Sequence, residues 1–277
     1  MSTLYRGMDR AAIDAAYNNT KAVADFQALF AGFRARSKAF YETMHGDRDI
    51  RYGPRASERF DFFRGQGPNA PTMVYIHGGY WQTLAKEDFA LVAQGPMELG
   101  FNVVLAEYTL APHASMTGIV QEIYRLLQYL STHRYKLGMD NGLVFLVGHS
   151  AGGHLSLVHR LHPLVSHAMA ISPLVDLEPI GFSWLNEKLN LTPEEIERFS
   201  PLRHIAKGIP TTIAVGGDEL PELVRHASEY AMAAKGSGED ASYIAIDRRN
   251  HFTILEELAS STGTLANVLV SRRNNRR

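Results

Sequence analysis

Six short apolar runs govern what this chain can fold into. "TMVYIHG", "FNVVLAEY", "GLVFLVGH", "HAMAISP", "PTTIAVGG" and "ASYIAID" are each of strand length and rich in β-branched residues, and none keeps a strict apolar–polar alternation. An alternating strand has one wet face, whereas a strand without alternation is covered on both, as in a parallel sheet between helices. The stretches at roughly 86 to 99, 114 to 135, 151 to 161, 220 to 236 and 252 to 270 have helical length and composition. Strand and helix alternating in this way predict an α/β fold: a mostly parallel, doubly wound sheet with helices on both faces and right-handed crossovers.

The first 45 residues read as a helical segment. Ile13 and Tyr17 are four apart, and Phe26, Leu29, Phe30 and Phe33 are spaced to cover one helix face. An antiparallel pair of strands is expected around 48 to 53 and 58 to 63, and the breaker "GQGPNAP" separates it from the parallel sheet. Between 174 and 207 no strand is evident. "LTPEEIERF" there carries a helix start, with Thr192 as cap, Pro193 in the first turn and Glu195 three residues after the cap. This segment reads as a small cap inserted above the sheet. The closing basic stretch, 272 to 277, reads as a flexible tail. With 45% hydrophobic residues, the 277 positions suffice for one domain spanning 1 to 277.

Charge narrows the partners. Lys and Arg number 28 against 29 Asp and Glu, so no nucleic acid is expected. No apolar run approaches the roughly 20 residues that cross a bilayer, and the start lacks a secretory apolar core, so no membrane is expected either. The chain has no cysteine. That removes disulfides, thiol nucleophiles and Cys-based zinc sites, and fits a cytoplasmic protein. The expected partner is a small-molecule substrate; a homodimer is left open.

"LVFLVGHSAGGHLSL" places Gly148, Ser150 and Gly152 in the G-x-S-x-G arrangement, with a buried strand before and a helix after. A serine on so sharp a turn has its hydroxyl lifted clear of the backbone, at a helix N-terminus that favours developing negative charge. The next N–H, of Ala151, is then a candidate oxyanion donor. A serine hydroxyl needs a histidine base and a carboxylate to orient it, following in the order Ser, acid, His at the ends of later strands. Of 12 histidines, His251 stands after the last strand and before a helix. His154, His159, His162 and His167 read as structural or surface residues and not as a metal site. His149, next to the serine, should turn its ring away from the hydroxyl. For the acid, "GGDELPE" offers Asp218, Glu219 and Glu222, with Asp218 slightly favoured on chemistry.

With "HGGYW", "GHSAGG" and "RNHF" in order, the chain resembles the α/β-hydrolases, and more narrowly the arylformamidase (kynurenine formamidase) branch, which neighbours the hormone-sensitive-lipase type of esterase. The likeness covers most of the chain from about residue 50. It rests on "HGGYWQ" at 77 to 82, "YTLAP" at 108 to 112, "ISPLVDLEPI" at 171 to 180, "FSPLRHI" at 199 to 205 and "GGDELPELVRHASEYA" at 216 to 231. The resemblance implies Glu219 as the acid, by its register two residues before Pro-Glu, with Asp218 as the rival. It also implies that Gly79 and Tyr80 join Ala151 as oxyanion donors, with Gly78 allowing the close turn. His77 would brace that loop and not act as a base.

The activity so implied is hydrolysis of an N-formyl aryl amide, typically N-formylkynurenine in tryptophan breakdown, through an acyl-enzyme and without a cofactor or metal. A broad carboxylesterase or amidase would use the same three residues, and a silent ligand-binding scaffold would ordinarily lack one of them. Trp81 and Tyr80 are candidates for an aromatic leaving-group pocket, with Trp184, Phe182 and Leu185 above it. The alternative for Trp81 is core packing beneath the loop.

Overall fold

A computed structural model of the chain describes residues 3–67, 69–139 and 142–274. Eight strands form one sheet: β1 (Asp47–Arg51), β2 (Arg59–Phe63), β3 (Thr72–Ile76), β4 (Asn102–Ala106), β5 (Val144–His149), β6 (His167–Ile171), β7 (Thr211–Gly216) and β8 (Ala241–Ile246). Their order is β1-β2-β4-β3-β5-β6-β7-β8; β1 and β4 pair antiparallel with β2, and the remaining pairs are parallel. All six apolar runs are strands, and the expected antiparallel pair is β1-β2. The order reverses at β3, which has β4 on one side and β5 on the other. Such a reversal leaves a crevice beyond the carboxyl ends of the flanking strands, here β3 and β5. "HGGYW" follows β3 and Ser150 follows β5, so both loops overhang it.

Helices α1 (Arg10–Ala16), α2 (Asn19–Ala22) and α3 (Phe26–Thr43) precede the sheet. A 3-10 turn, Lys86–Ala93, and α4 (Gln94–Glu98) link β3 to β4, while α5 (Met116–Thr132) and α6 (Arg134–Leu137) link β4 to β5. Then come α7 (Ala151–Val158), the short helices α8 (Glu178–Phe182), α9 (Asn186–Leu189) and α10 (Pro193–Phe199), then α11 (Pro221–Gly236), α12 (Glu256–Ala259) and α13 (Thr264–Asn274). Residues of opposite parity on the central strands feed separate cores. Val74, Ile76, Val104 and Leu146 pack with residues of α5 and α7, and Met73, Tyr75, Val103 and Val147 pack with α3 and the closing helices.

Four expectations change. The N-terminal segment is broken: Asn18 accepts the Lys21 N–H to start α2, and Asp25 has φ +53° before α3. Strand β8 is the sheet edge and is only half-buried over Ser242–Ile244, so its apolar run does not mean cover on both faces. The helix expected over 252 to 270 is interrupted at 260 to 263, where Ser260 Oγ accepts the Thr262 N–H and competes with helical bonding. The basic end is helical as far as Asn274, with Arg272 paired to Asp240 at 3.0 Å and Arg273 donating to the Leu99 carbonyl. Residues 275–277 of that expected tail lie outside the described residues.

Between β6 and β7, the cap on α10 forms as its sequence suggests, Thr192 and Glu195 each accepting the other's N–H. Glu195 also accepts from Thr117 N and Oγ1, both at 2.8 Å, which ties α10 to the start of α5.

Candidate active site

Ser150 sits between β5 and α7 with φ +56° and ψ −117°, a conformation non-glycine residues rarely adopt. Its N–H is held by the Ile171 carbonyl at 2.8 Å. The strained turn fits only because Gly152 has no side chain: a Cβ there would lie 2.0 Å from the Ile76 carbonyl oxygen. The elbow is therefore pressed against the end of β3, the strand that leads into "HGGYW".

In that loop Gly79 has φ +112°, and a Cβ on it would meet the Thr83 carbonyl oxygen at 2.1 Å. Tyr80 and Trp81 follow with φ of +51° and +59°. Among the described residues, the N–H groups of Gly79, Tyr80 and Ala151 donate to no protein acceptor. His77 braces the turn from below. Its Nδ1 lies 2.7 Å from the Gly78 carbonyl oxygen and its Nε2 3.1 Å from Glu107 Oε1. Both neighbours are acceptors, so this setting favours the imidazolium, which can donate from both nitrogens. Burial by itself disfavours that charge, but Glu107 outweighs it and raises the His77 pKa; burial likewise opposes the Glu107 charge, and His77 holds that pKa down. The His77 ring stacks on Tyr108 at 4.6 Å and on Phe89 at 6.0 Å.

His251 Nδ1 lies 2.6 Å from Glu219 Oε2. The other carboxylate oxygen accepts from Ser172 Oγ at 2.5 Å and from the Gly216 N–H at 2.7 Å. A tight turn chooses between the neighbouring acids. The N–H groups of Gly217 and Asp218 donate to the Ile246 and Arg249 carbonyls, so residue 218 faces solvent and residue 219 turns inward. Glu222 pairs with Arg225 at 2.6 Å on α11.

The His149 ring centroid is 4.6 Å from that of His251, its Nε2–H donates to the His251 carbonyl at 2.7 Å, and the residue lines the same cavity as Ser150. Burial, reinforced by His251, drives its pKa well below the usual imidazole value and leaves it neutral. His154, His159, His162 and His167 are all buried, none of them at the surface. Among the described residues no group of His, Asp and Glu could hold a metal ion.

A cavity of about 310 Å³ brings together Ser150, His251, His149, Gly79 and Tyr80. Ser150 and His251 face it without a direct hydrogen bond to each other among the described residues. Gly78 sits directly beneath the elbow, where a Cβ would come within 3.1 Å of the Ser150 Cβ.

Trp81 is not in the cavity wall. It is completely buried and meets His154 edge-on at 5.0 Å, so the substrate-contact reading gives way to core packing. Tyr80 does line the cavity, with its hydroxyl donating to the Tyr17 carbonyl at 2.6 Å and accepting from Asn19 Nδ2 at 3.0 Å. Trp184 lies edge-on to Tyr80 at 6.4 Å and, with Leu185, lines an adjoining cavity of about 300 Å³ that also includes Tyr80 and Gly79.

The N-terminal segment supplies wall that sequence reasoning missed: Asn19, Phe26 and Phe30 line the Ser150 cavity. The Phe26 and Phe30 spacing carries the signal, since it marks a buried face of α3 without saying what that face covers.

The chain resembles known proteins over most of its length. The family model described as BD-FAE matches residues 63–167. Kynurenine formamidase of Danio rerio is 28% identical over 252 residues, covering 85% of this chain and 83% of that protein. An esterase of Gibberella moniliformis is 23% identical, covering 73% and 72%. Among solved structures, a candidate thioesterase from Silicibacter superposes with a TM-score of 0.83 at 26% identity, covering 93% of this chain and 98% of that one. An esterase from Pyrobaculum calidifontis gives 0.75 at 21% identity, covering 99% of both. The chain is thus a hydrolase with the α/β-hydrolase fold, similar in sequence to the kynurenine formamidases.

Proposed function

We propose that the chain is a serine hydrolase that cleaves a small N-formyl arylamine, N-formylkynurenine being the substrate suggested by the name its relatives carry. The observation that carries the reading is the 2.6 Å link between Glu219 and His251 at the wall of the cavity into which Ser150 opens. Glu219 fixes the ring with Nδ1 protonated, which leaves Nε2 as the base. Ser150 Oγ attacks the formyl carbon as its proton passes to Nε2. The oxyanion is taken by the free N–H groups of Ala151, Gly79 and Tyr80. Collapse breaks the C–N bond, and the imidazolium protonates the departing aryl nitrogen. Water, deprotonated by the same ring, then releases formate from the serine. The open Ser–His pair accords with a link that tightens only on substrate binding.

The small acyl group fits the enclosed elbow, and the aromatic walls suit an aryl leaving group. No helix among the described residues is long and apolar enough to cross a membrane, and we assign the chain to the cytoplasm on its lack of cysteine.

The test is turnover of N-formylkynurenine beside p-nitrophenyl acetate, with Ser150→Ala as control. The formamidase reading expects the amide to be turned over with a kcat/KM at least comparable to that of the ester, and the variant to be folded and inactive. A large preference for the ester transfers the assignment to a carboxylesterase, which the Gibberella relative favours. An active Ser150→Ala protein removes the serine mechanism altogether.

A further inference from the structure

On one face of α3, Phe26, Phe30 and Arg34 stand at successive i, i+4 positions, and all three line the Ser150 cavity. Ring contacts make the face continuous with the reacting groups. His251 meets Phe252 edge-on at 5.3 Å, Phe252 meets Phe26 at 4.8 Å, and Phe26 stacks on Phe30 at 5.6 Å. The Arg34 guanidinium then lies 4.9 Å from the Phe30 centroid. An apolar wall thus runs from the catalytic histidine to a cation.

The cation is oriented. Arg34 Nε donates to Asp88 Oδ1 at 2.7 Å, and Asp88 is itself fixed, because its other oxygen accepts the Ala85 N–H. Asp88 offsets part of the charge but sets the plane of the guanidinium. Both Nη groups are left without a protein acceptor among the described residues, in the fork geometry that a carboxylate matches. No Asp or Glu lines this cavity among the described residues, and Arg34 is its one Lys or Arg.

We propose that Arg34 makes the site selective for aryl substrates whose leaving group carries a carboxylate. The aryl ring lies along the phenylalanine wall, the acyl carbon meets Ser150, and the carboxylate takes the free edge of Arg34. This rests on the serine-hydrolase reading and adds to it the residue that meets a leaving-group carboxylate. Because the Arg34 side chain is 58% exposed, solvent screens the contact, and its effect is that of one partly wet charged hydrogen bond.

The experiment compares two substrate pairs matched except for the carboxylate: N-formylanthranilate with formanilide, and 3-acetoxybenzoate with phenyl acetate. Each is measured on the wild type, Arg34→Met and Arg34→Lys, with melting temperatures recorded. The expected result is a fall of about tenfold in the charged-to-neutral ratio of kcat/KM in Arg34→Met, carried mainly by KM, with Arg34→Lys in between. A ratio that stays within about twofold overturns the proposal, as does an equal loss on both members of a pair, which is the signature of a purely structural arginine. If the wild type hydrolyses only the ester pair, the formamidase reading falls and Arg34 is judged on the esters. If it hydrolyses neither pair, both readings fall.

Discussion

Ser172 Oγ donates to Oε1 of Glu219 at 2.5 Å, while the second oxygen of the same carboxylate holds His251 at 2.6 Å. Ser172 does so from a left-handed backbone position, φ +49°, with its own N–H bonded to the Ala214 carbonyl within β7. The carboxylate is gripped from two strands at once. Ser172→Ala should lower kcat roughly tenfold with little change in KM, because a charged hydrogen bond that positions the acid is lost while the cavity is untouched. Steady-state kinetics checks this, and a fall seen only in KM would count against a positioning role.

The two neighbouring acids should separate cleanly. Glu219→Gln is expected to cost on the order of a thousandfold or more in kcat, since the amide cannot hold the imidazolium that forms during attack. Asp218→Asn, at an exposed position, should stay within about twofold. The reverse pattern would mean that the turn rearranges when substrate binds.

Trp81 and Trp184 should also part company, in stability and not in rate. Trp81→Ala removes a fully buried indole and should destabilise the fold by about 4 kcal/mol. Trp184, at 38% exposure, should cost about 1 kcal/mol or less on truncation. Urea denaturation of the two variants measures both.

The His77–Glu107 pair predicts a pH dependence of stability. His77, whose pKa is raised in the fold, contributes fully below the usual imidazole value and loses that contribution as pH rises through its folded value. Glu107, whose pKa is lowered, contributes above the usual carboxylate value and loses it as pH falls through its folded value. Their joint contribution is therefore greatest between about pH 4.5 and about pH 6.5. The stability gap between wild type and Glu107→Gln should narrow as pH is raised above that window. Unfolding curves recorded from neutral to alkaline pH check it, and a gap that does not change with pH would disprove the ion pair.

Much of this architecture is legible in the chain itself, for reasons that differ from residue to residue. The central strands stand out because being covered on both faces abolishes alternation, and Ser150 because its turn tolerates only glycine nearby. His251 is legible from its place after a strand. The choice between Asp218 and Glu219 is legible only through the family resemblance, because physically it depends on N–H groups of 217 and 218 bonding carbonyls at 246 and 249. Trp81 misleads for a related reason: an aromatic after a glycine loop can turn to either side, and here His154 of α7 receives it. The role of Phe26 and Phe30 is hidden because what they cover lies more than a hundred positions further along the chain.

That last separation has a consequence for the order in which this protein becomes competent. The cavity wall is closed by Phe26 against Phe252, side by side at 4.8 Å. Every strand of the sheet lies between them in the chain. As a nascent polypeptide emerges, the elbow and the strands beneath it can assemble early, yet the reaction chamber stays open to water until residue 252 arrives to seal it. With more than two hundred positions between the two rings, sealing that wall is a long-range closure that follows the local steps of folding.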